Sequence, residues 1–177
     1  FFSFYLIICD LLITILCTAI HMKTGNELSV TLAITFGTIS YHFVMRLAVG
    51  EVIILLLDNH VNYQAKWFQI TKAEQKLYNK IKVKKWKNKM PTYNPSCFDN
   101  RIHSWDEIAQ AMCQAELVHE VIVVLSFLPI LASIPFGALA VFVITSILAA
   151  GFDTMFVMMQ RYNRPRIIKL ISKDKGC

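Results

Sequence analysis

Four apolar runs, each close to the length a helix needs to cross a bilayer, constrain this 177-residue chain more than any other feature. A spanning helix takes about 20 mostly apolar residues. The runs are 1–20, interrupted by Asp10; 30–57, with Gly37, His42, Arg46, Gly50 and Glu51 inside it; 117–134, containing Pro129; and 136–158. Hydrocarbon offers no water to backbone N–H and C=O groups, so such runs span as helices. In total 55% of the residues are apolar and 17% charged. Soluble domains average about 45–50% and 25%, and here the excess lies in blocks. The expected fold class is all-α, an integral membrane four-helix protein forming one domain over 1–177. The first run lacks a basic leading region and a small-x-small cleavage site, so it reads as a span rather than a signal peptide.

Charge sets the expected orientation. Sixteen of the eighteen Lys and Arg lie in 60–104 and 159–177, opposed only by Glu74, Asp99 and Asp174. The turns 21–29 and 135–137 carry one Lys between them. Short basic loops stay in the cytoplasm. The chain therefore reads as a multi-pass cell-membrane protein with both termini, the loop 58–116 and the tail 159–177 cytoplasmic. Three spans would put one basic stretch outside. The net charge of +6 points to membrane lipids, whose anionic headgroups are nearest, and not to nucleic acid. Five cysteines without a CxxC pair argue against a disulfide framework or a zinc site.

Between spans two and three, residues 63–89 are amphipathic. Trp67, Ile70, Ala73, Leu77 and Ile81 recur at helical spacing with lysines opposite, which predicts an interfacial helix closed by Pro91, Pro95 and the polar residues between them. Ser104 is a candidate N-cap for a helix that begins Trp105-Asp106-Glu107 and runs through Glu116 and His119 into span three.

Several clusters could carry chemistry. His42 and Arg46 lie one helical turn apart in span two, with Glu51 on roughly the same side. Either Arg46 pairs with Glu51 or Asp10 to fix packing, or the cluster helps bind an anionic or polar substrate group. Glu116, His119 and Glu120 share one helix face. A carboxylate touching an imidazole fixes its tautomer, so His119 could serve as a general base oriented by Glu116; the same residues could be a polar patch at the membrane boundary. A Glu-x-x-His pair also occurs in di-iron bundles, but the second pair is missing, so no metal is expected. Glu74 reads as a surface ion pair with a lysine or as part of a site. Lys84–Pro91, with Lys85, Trp86 and Lys87, suits anionic lipid or the phosphates of a donor such as a coenzyme A thioester. Gln160-Arg161-Tyr162-Asn163-Arg164-Pro165-Arg166 follows span four beside a proline-stiffened turn; its Arg forks suit phosphate or carboxylate, as an anchor or as a site. There is no Gly-rich phosphate loop, GxSxG elbow or HExxH. His119 also lacks the His-x4-Asp acyltransferase pattern, since Val124 stands where the Asp would be.

Three blocks are similar to a known pattern. They are Trp67-Phe68 with Glu74, Tyr78 and Val83–Pro91; Ala115-Glu116-Leu117-Val118-His119; and Gln160–Arg166. Their order and spacing resemble the glycosyl-4,4'-diaponeurosporenoate acyltransferase family, small integral membrane proteins of carotenoid-making bacteria, from about Tyr41 onward. The resemblance implies transfer of a fatty acyl group onto a sugar hydroxyl of a glycosylated carotenoid or similar lipid acceptor. It implies an acyl thioester (acyl-coenzyme A or acyl-carrier protein) as co-substrate and no bound cofactor. By the same resemblance Glu116 and His119 are the acid/base pair, and Trp67, Glu74, Lys85, Trp86, Lys87, Arg161, Asn163 and Arg164 are site or binding residues; His42, Arg46 and Gln160 are further candidates read from the residues themselves. A small membrane methyltransferase and a non-enzymatic lipid-binding subunit are the competing readings.

Overall fold

The computed structural model describes residues 2–91 and 95–175, with side chains from residue 4 onward. Phe1 of the first expected span, Thr92, Tyr93 and Asn94 of the expected helix-ending run, and Gly176 and Cys177 of the tail lie outside the described residues. Every regular element among the described residues is a helix: α1 (Phe2–Thr24), α2 (Glu27–Leu57), α3 (Lys72–Lys80), α4 (Val83–Trp86), α5 (Trp105–Leu125), α6 (Ser133–Phe136) and α7 (Leu139–Asp174). Short 3-10 turns occur at Lys66–Phe68, Lys87–Lys89, Pro95–Phe98 and Leu128–Ala132. Four stretches, Phe4–Thr24, Glu27–Leu57, Trp105–Phe136 and Leu139–Asp174, are long and apolar enough to cross a membrane.

The chain divides into two compact units, residues 1–50 with 121–152 and residues 51–120 with 153–177. The four membrane-length helices share an inverted distribution of polarity. Large apolar side chains such as Leu55 (80% exposed) and Ile134 (83%) face outward, while Thr38, Ser40, His42, Ser126, Ser146 and Asp153 are buried. Water would drive the reverse arrangement. Lipid does not, because an outward Leu costs nothing in hydrocarbon and small polar groups let helices approach closely.

In the first unit, Gly25 takes φ +67° and its N–H bonds His21 O at 2.8 Å, which ends α1 and leaves a two-residue turn to α2. Pro129 is expected within a span, and here the α-helix stops before it, at Leu125, and resumes as a 3-10 turn. A proline has no N–H and leaves the carbonyl four residues back unpaired. That carbonyl belongs to Leu125, and the Tyr41 hydroxyl donates to it at 3.0 Å. Arg46 reaches the carbonyls of His42 and Ala149, each at 3.4 Å, and its guanidinium lies 5.9 Å from the centre of the Phe152 ring.

In the second unit the amphipathic segment differs from the single helix its spacing predicts. It is broken into the 66–68 turn, α3, α4 and the 87–89 turn. Two local features cause this. Thr71 and Glu74 form a reciprocal capping box that starts a new helix at Lys72. Lys82 sits in the left-handed region at φ +55° and divides α3 from α4. The expected helix start at Trp105 holds: the Glu107 carboxylate accepts from Ser104 N at 2.7 Å, and Ser104 Oγ accepts from Glu107 N at 3.3 Å. Gln160–Arg166 was expected beside a turn after span four. Instead α7 carries straight through it, Pro165 included. Buried residues Asp153, Phe156, Gln160 and Arg164 recur every three or four positions along α7, and packing along this stripe keeps the helix intact across the bond that Pro165 removes.

Candidate functional site

The second unit gathers the three sequence blocks around α5 and α7. Glu116 is fully buried on α5. Its carboxylate accepts from Arg161 Nη1 at 2.6 Å and from Nη2 of Arg164. Arg161 and Arg164 lie three apart on α7, so both forks fall on the side that carries the buried stripe. Arg164, 1% exposed, also donates to Cys113 Sγ at 3.3 Å and stacks 5.0 Å over Phe68. Arg161 reaches further out. Its Nε donates to Glu74 Oε1 at 2.8 Å, and Nη1 and Nη2 donate to the carbonyls of Trp67 and Gln69 at 3.1 and 3.4 Å. One guanidinium thus ties the 67–74 segment to α5 and α7. Glu74 pairs with this arginine and not with a surface lysine.

Burial alone would push the Glu74 carboxyl up. The Thr71 backbone N–H and hydroxyl, then Arg161, outweigh that and hold it below the usual carboxylate range. The buried Tyr78 hydroxyl lies 3.5 Å from Glu74 Oε1; burial first, and then the Glu74 charge, push its phenol upward.

His119 was expected to be oriented by Glu116. The geometry assigns that role elsewhere: His119 Nδ1 lies 2.9 Å from Asp153 Oδ1, while Glu116 is engaged by the two arginines. The ring stacks on Phe156 at 4.5 Å with an interplanar angle of 7°. His119 is 22% exposed and Asp153 1%. When the carboxylate is the acceptor, Nδ1 is the donor and Nε2 is the ring nitrogen outside this contact. Asp153 was not among the expected site residues. Its signal in the sequence is that of a lone carboxylate inside an apolar run, which in a membrane segment marks function or pairing.

Other expected residues fall around this core. Trp67 is exposed, and its Nε1 donates to Glu120 Oε2 at 2.9 Å. Trp86 Nε1 donates to Ile81 O at 3.2 Å. Lys87 donates to the Asn163 side-chain oxygen and lies 5.2 Å from the centre of the Tyr162 ring. Lys85 is exposed and Gln160 is buried on the α7 stripe. His42 and Arg46 belong to the first unit. Among the described residues no three His, Cys, Asp or Glu side chains come together so as to hold a metal ion.

A sequence model of glycosyl-4,4'-diaponeurosporenoate acyltransferase matches residues 64–173. The chain belongs to this family. The match runs from the loop before α3 to the end of α7 and so includes Trp67, Glu74, Lys87, Glu116, His119, Asp153 and the Gln160–Arg166 block. No curated protein and no solved structure matches the chain. The family is named for acyl transfer in the modification of a carotenoid glycoside.

Proposed function

We propose that the chain transfers a fatty acyl group from an acyl thioester to a hydroxyl of a lipid-linked or glycolipid acceptor at the cytoplasmic face of the membrane. The observation that carries this reading is the contact between His119 Nδ1 and the buried Asp153 carboxylate. This pairing leaves Nε2 as the base. Nε2 takes the acceptor's hydroxyl proton as the oxygen attacks the thioester carbonyl carbon. The carbon–sulfur bond then breaks, and the leaving thiolate takes that proton from the imidazolium. The products are an ester and a thiol, and nothing else is consumed. Asp153 stays ionised and steadies the charged ring between the two transfers.

Glu116 has a different part in this reading. With both oxygens on arginines it holds α5, α7 and the 67–74 segment in place, and with them His119. Supplying purified protein in lipid nanodiscs with labelled acyl-coenzyme A and a glycosylated carotenoid or a glycolipid tests the proposal. Label should enter the lipid in the native protein and fail to enter it in His119→Ala. Transfer that survives in a folded His119→Ala would end this assignment. Label arriving from S-adenosylmethionine instead would favour a methyltransferase.

A further inference from the structure

Positive charge in the second unit is unevenly compensated. Arg161 and Arg164 direct their forks at Glu74 and Glu116. Lys84, Lys87 and Arg166 form no ion pair with a carboxylate among the described residues. Lys87 and Arg166 nevertheless share a neighbour: the Lys87 ammonium and the Arg166 guanidinium lie 5.2 and 5.5 Å from the centre of one ring, Tyr162. Lys87 is half-buried, and burial first, then the neighbouring charges of Arg166 and Lys84, hold its ammonium below the ordinary lysine range. Cations that repel one another at a half-buried place are stabilised when an anion joins them.

A cavity of about 370 Å³ opens beside this cluster. Its walls include Phe98, Trp105, Met112 and Met159, and its polar side is Gln160, Asn163 and Arg166. Asn163 and Arg166 therefore belong to both features: Asn163 accepts from Lys87, and Arg166 shares the Tyr162 ring. Their spacing on α7 explains this, because residues 159, 160, 163, 166 and 167 lie along one side of the helix, where only Gln160 also belongs to the buried stripe 153, 156, 160 and 164. The cavity lies at the small end of ligand sites. It suits a charged group with a short arm rather than a whole acyl chain.

We infer that Lys87, Arg166 and Asn163, with Lys84 alongside, form a phosphate-binding subsite on the rim of this cavity, for a phosphate ester whose adjoining arm lies against Trp105 and Phe98. The name of that ester rests on the acyl-transfer reading: there it is the phosphate of the thioester donor. An anionic phospholipid headgroup carries the same chemistry. The subsite recognises the ligand by charge and hydrogen bonding and touches no reacting atom.

Binding of coenzyme A itself, which cannot transfer an acyl group, tests the subsite apart from the chemistry. The protein is held in nanodiscs of neutral phosphatidylcholine and titrated calorimetrically with coenzyme A. In parallel, native mass spectrometry counts phosphatidylglycerol molecules retained from mixed vesicles. Lys87→Gln and Arg166→Gln should each weaken one of these two ligands tenfold or more, and Arg166→Lys should restore part of the loss. Weakening of coenzyme A alone assigns the phosphate to a soluble donor; weakening of phosphatidylglycerol alone assigns it to a lipid. Binding of both ligands unchanged in folded Arg166→Gln overturns the subsite. Arg166 is exposed, so this variant stays informative if Lys87→Gln misfolds. Coenzyme A bound tightly by a protein that transfers nothing would sink the acyl-transfer reading and leave the subsite standing.

Discussion

His119 and Asp153 meet through a 2.9 Å contact between Nδ1 and Oδ1, across 34 residues of sequence. The carboxylate sits on α7 and is 1% exposed. A buried carboxylate needs donors to keep its charge, and the ring supplies one while Phe156 holds its plane. Two groups that are separately costly in an apolar helix become a fixed pair.

That pair gives the first prediction. Asp153→Asn keeps the shape and removes the charge that selects the tautomer. The initial rate of acyl transfer should fall about 10²–10⁴-fold, the range a positioned general base contributes. His119→Gln should fall comparably. The double variant should be little worse than either single one, because residues acting as a unit are not additive. Initial rates on nanodisc-embedded protein of unchanged thermal midpoint measure this.

Glu116 should behave differently. It is fully buried and holds two arginines, one of them 1% exposed. Glu116→Leu leaves an uncompensated buried cation, at a cost of roughly 3–5 kcal/mol. Glu116→Leu with Arg164→Met removes both charges and should recover much of that loss. Thermal unfolding in detergent, read by intrinsic fluorescence, gives the double-mutant cycle. Equal instability of single and double variants would contradict a paired role.

Glu74 makes stability depend on pH. Its folded carboxyl lies below the usual carboxylate range, so the folded form is the better acid. The resulting stabilisation is complete above the unfolded value and is lost as pH falls through the folded one. Thermal midpoints followed downward from pH 6 should drop below about pH 4.5, and Glu74→Gln should flatten part of that drop while lowering the plateau. Thr71→Ala, which removes the other half of the capping box, should lower the midpoint by the equivalent of about 1 kcal/mol.

Lys82 gives a stabilising substitution. Its left-handed backbone at φ +55° costs roughly 1–2 kcal/mol for a residue with a Cβ. Lys82→Gly should raise the unfolding midpoint, and Lys82→Pro, whose ring fixes φ near −65°, should lower it sharply. Thermal melts of the two variants side by side decide the matter, since a loss in Lys82→Gly would mean that the turn is not the strained point.

Much of the fold was legible along the chain because its signals are local. Apolar runs close to bilayer length, the Ser104–Glu107 cap and the short polar turn at 21–29 each act through neighbours in sequence. The amphipathic segment was legible as a pattern but not as one continuous helix, since the turn at Lys82 and the start at Thr71 interrupt a periodicity that survives them. The turn after span four was expected for the opposite reason. A proline and three arginines look like a terminus, whereas α7 runs through them, packed along its buried stripe and with Arg161 and Arg164 paired to Glu116 on α5.

By itself, then, the sequence determined an all-helical chain with four helices able to cross a membrane, its family, and the residues from which a site can be built. Tertiary structure alone decided how those residues pair. Glu116 and His119 lie one turn apart, and spacing favours their partnership. Yet charge is satisfied by whichever group packing brings within 3 Å. Packing α7 on α5 puts Asp153 against His119 and both arginines against Glu116. No local rule of helix periodicity contains that choice, because it depends on the register between two helices that the chain joins only through a distant turn.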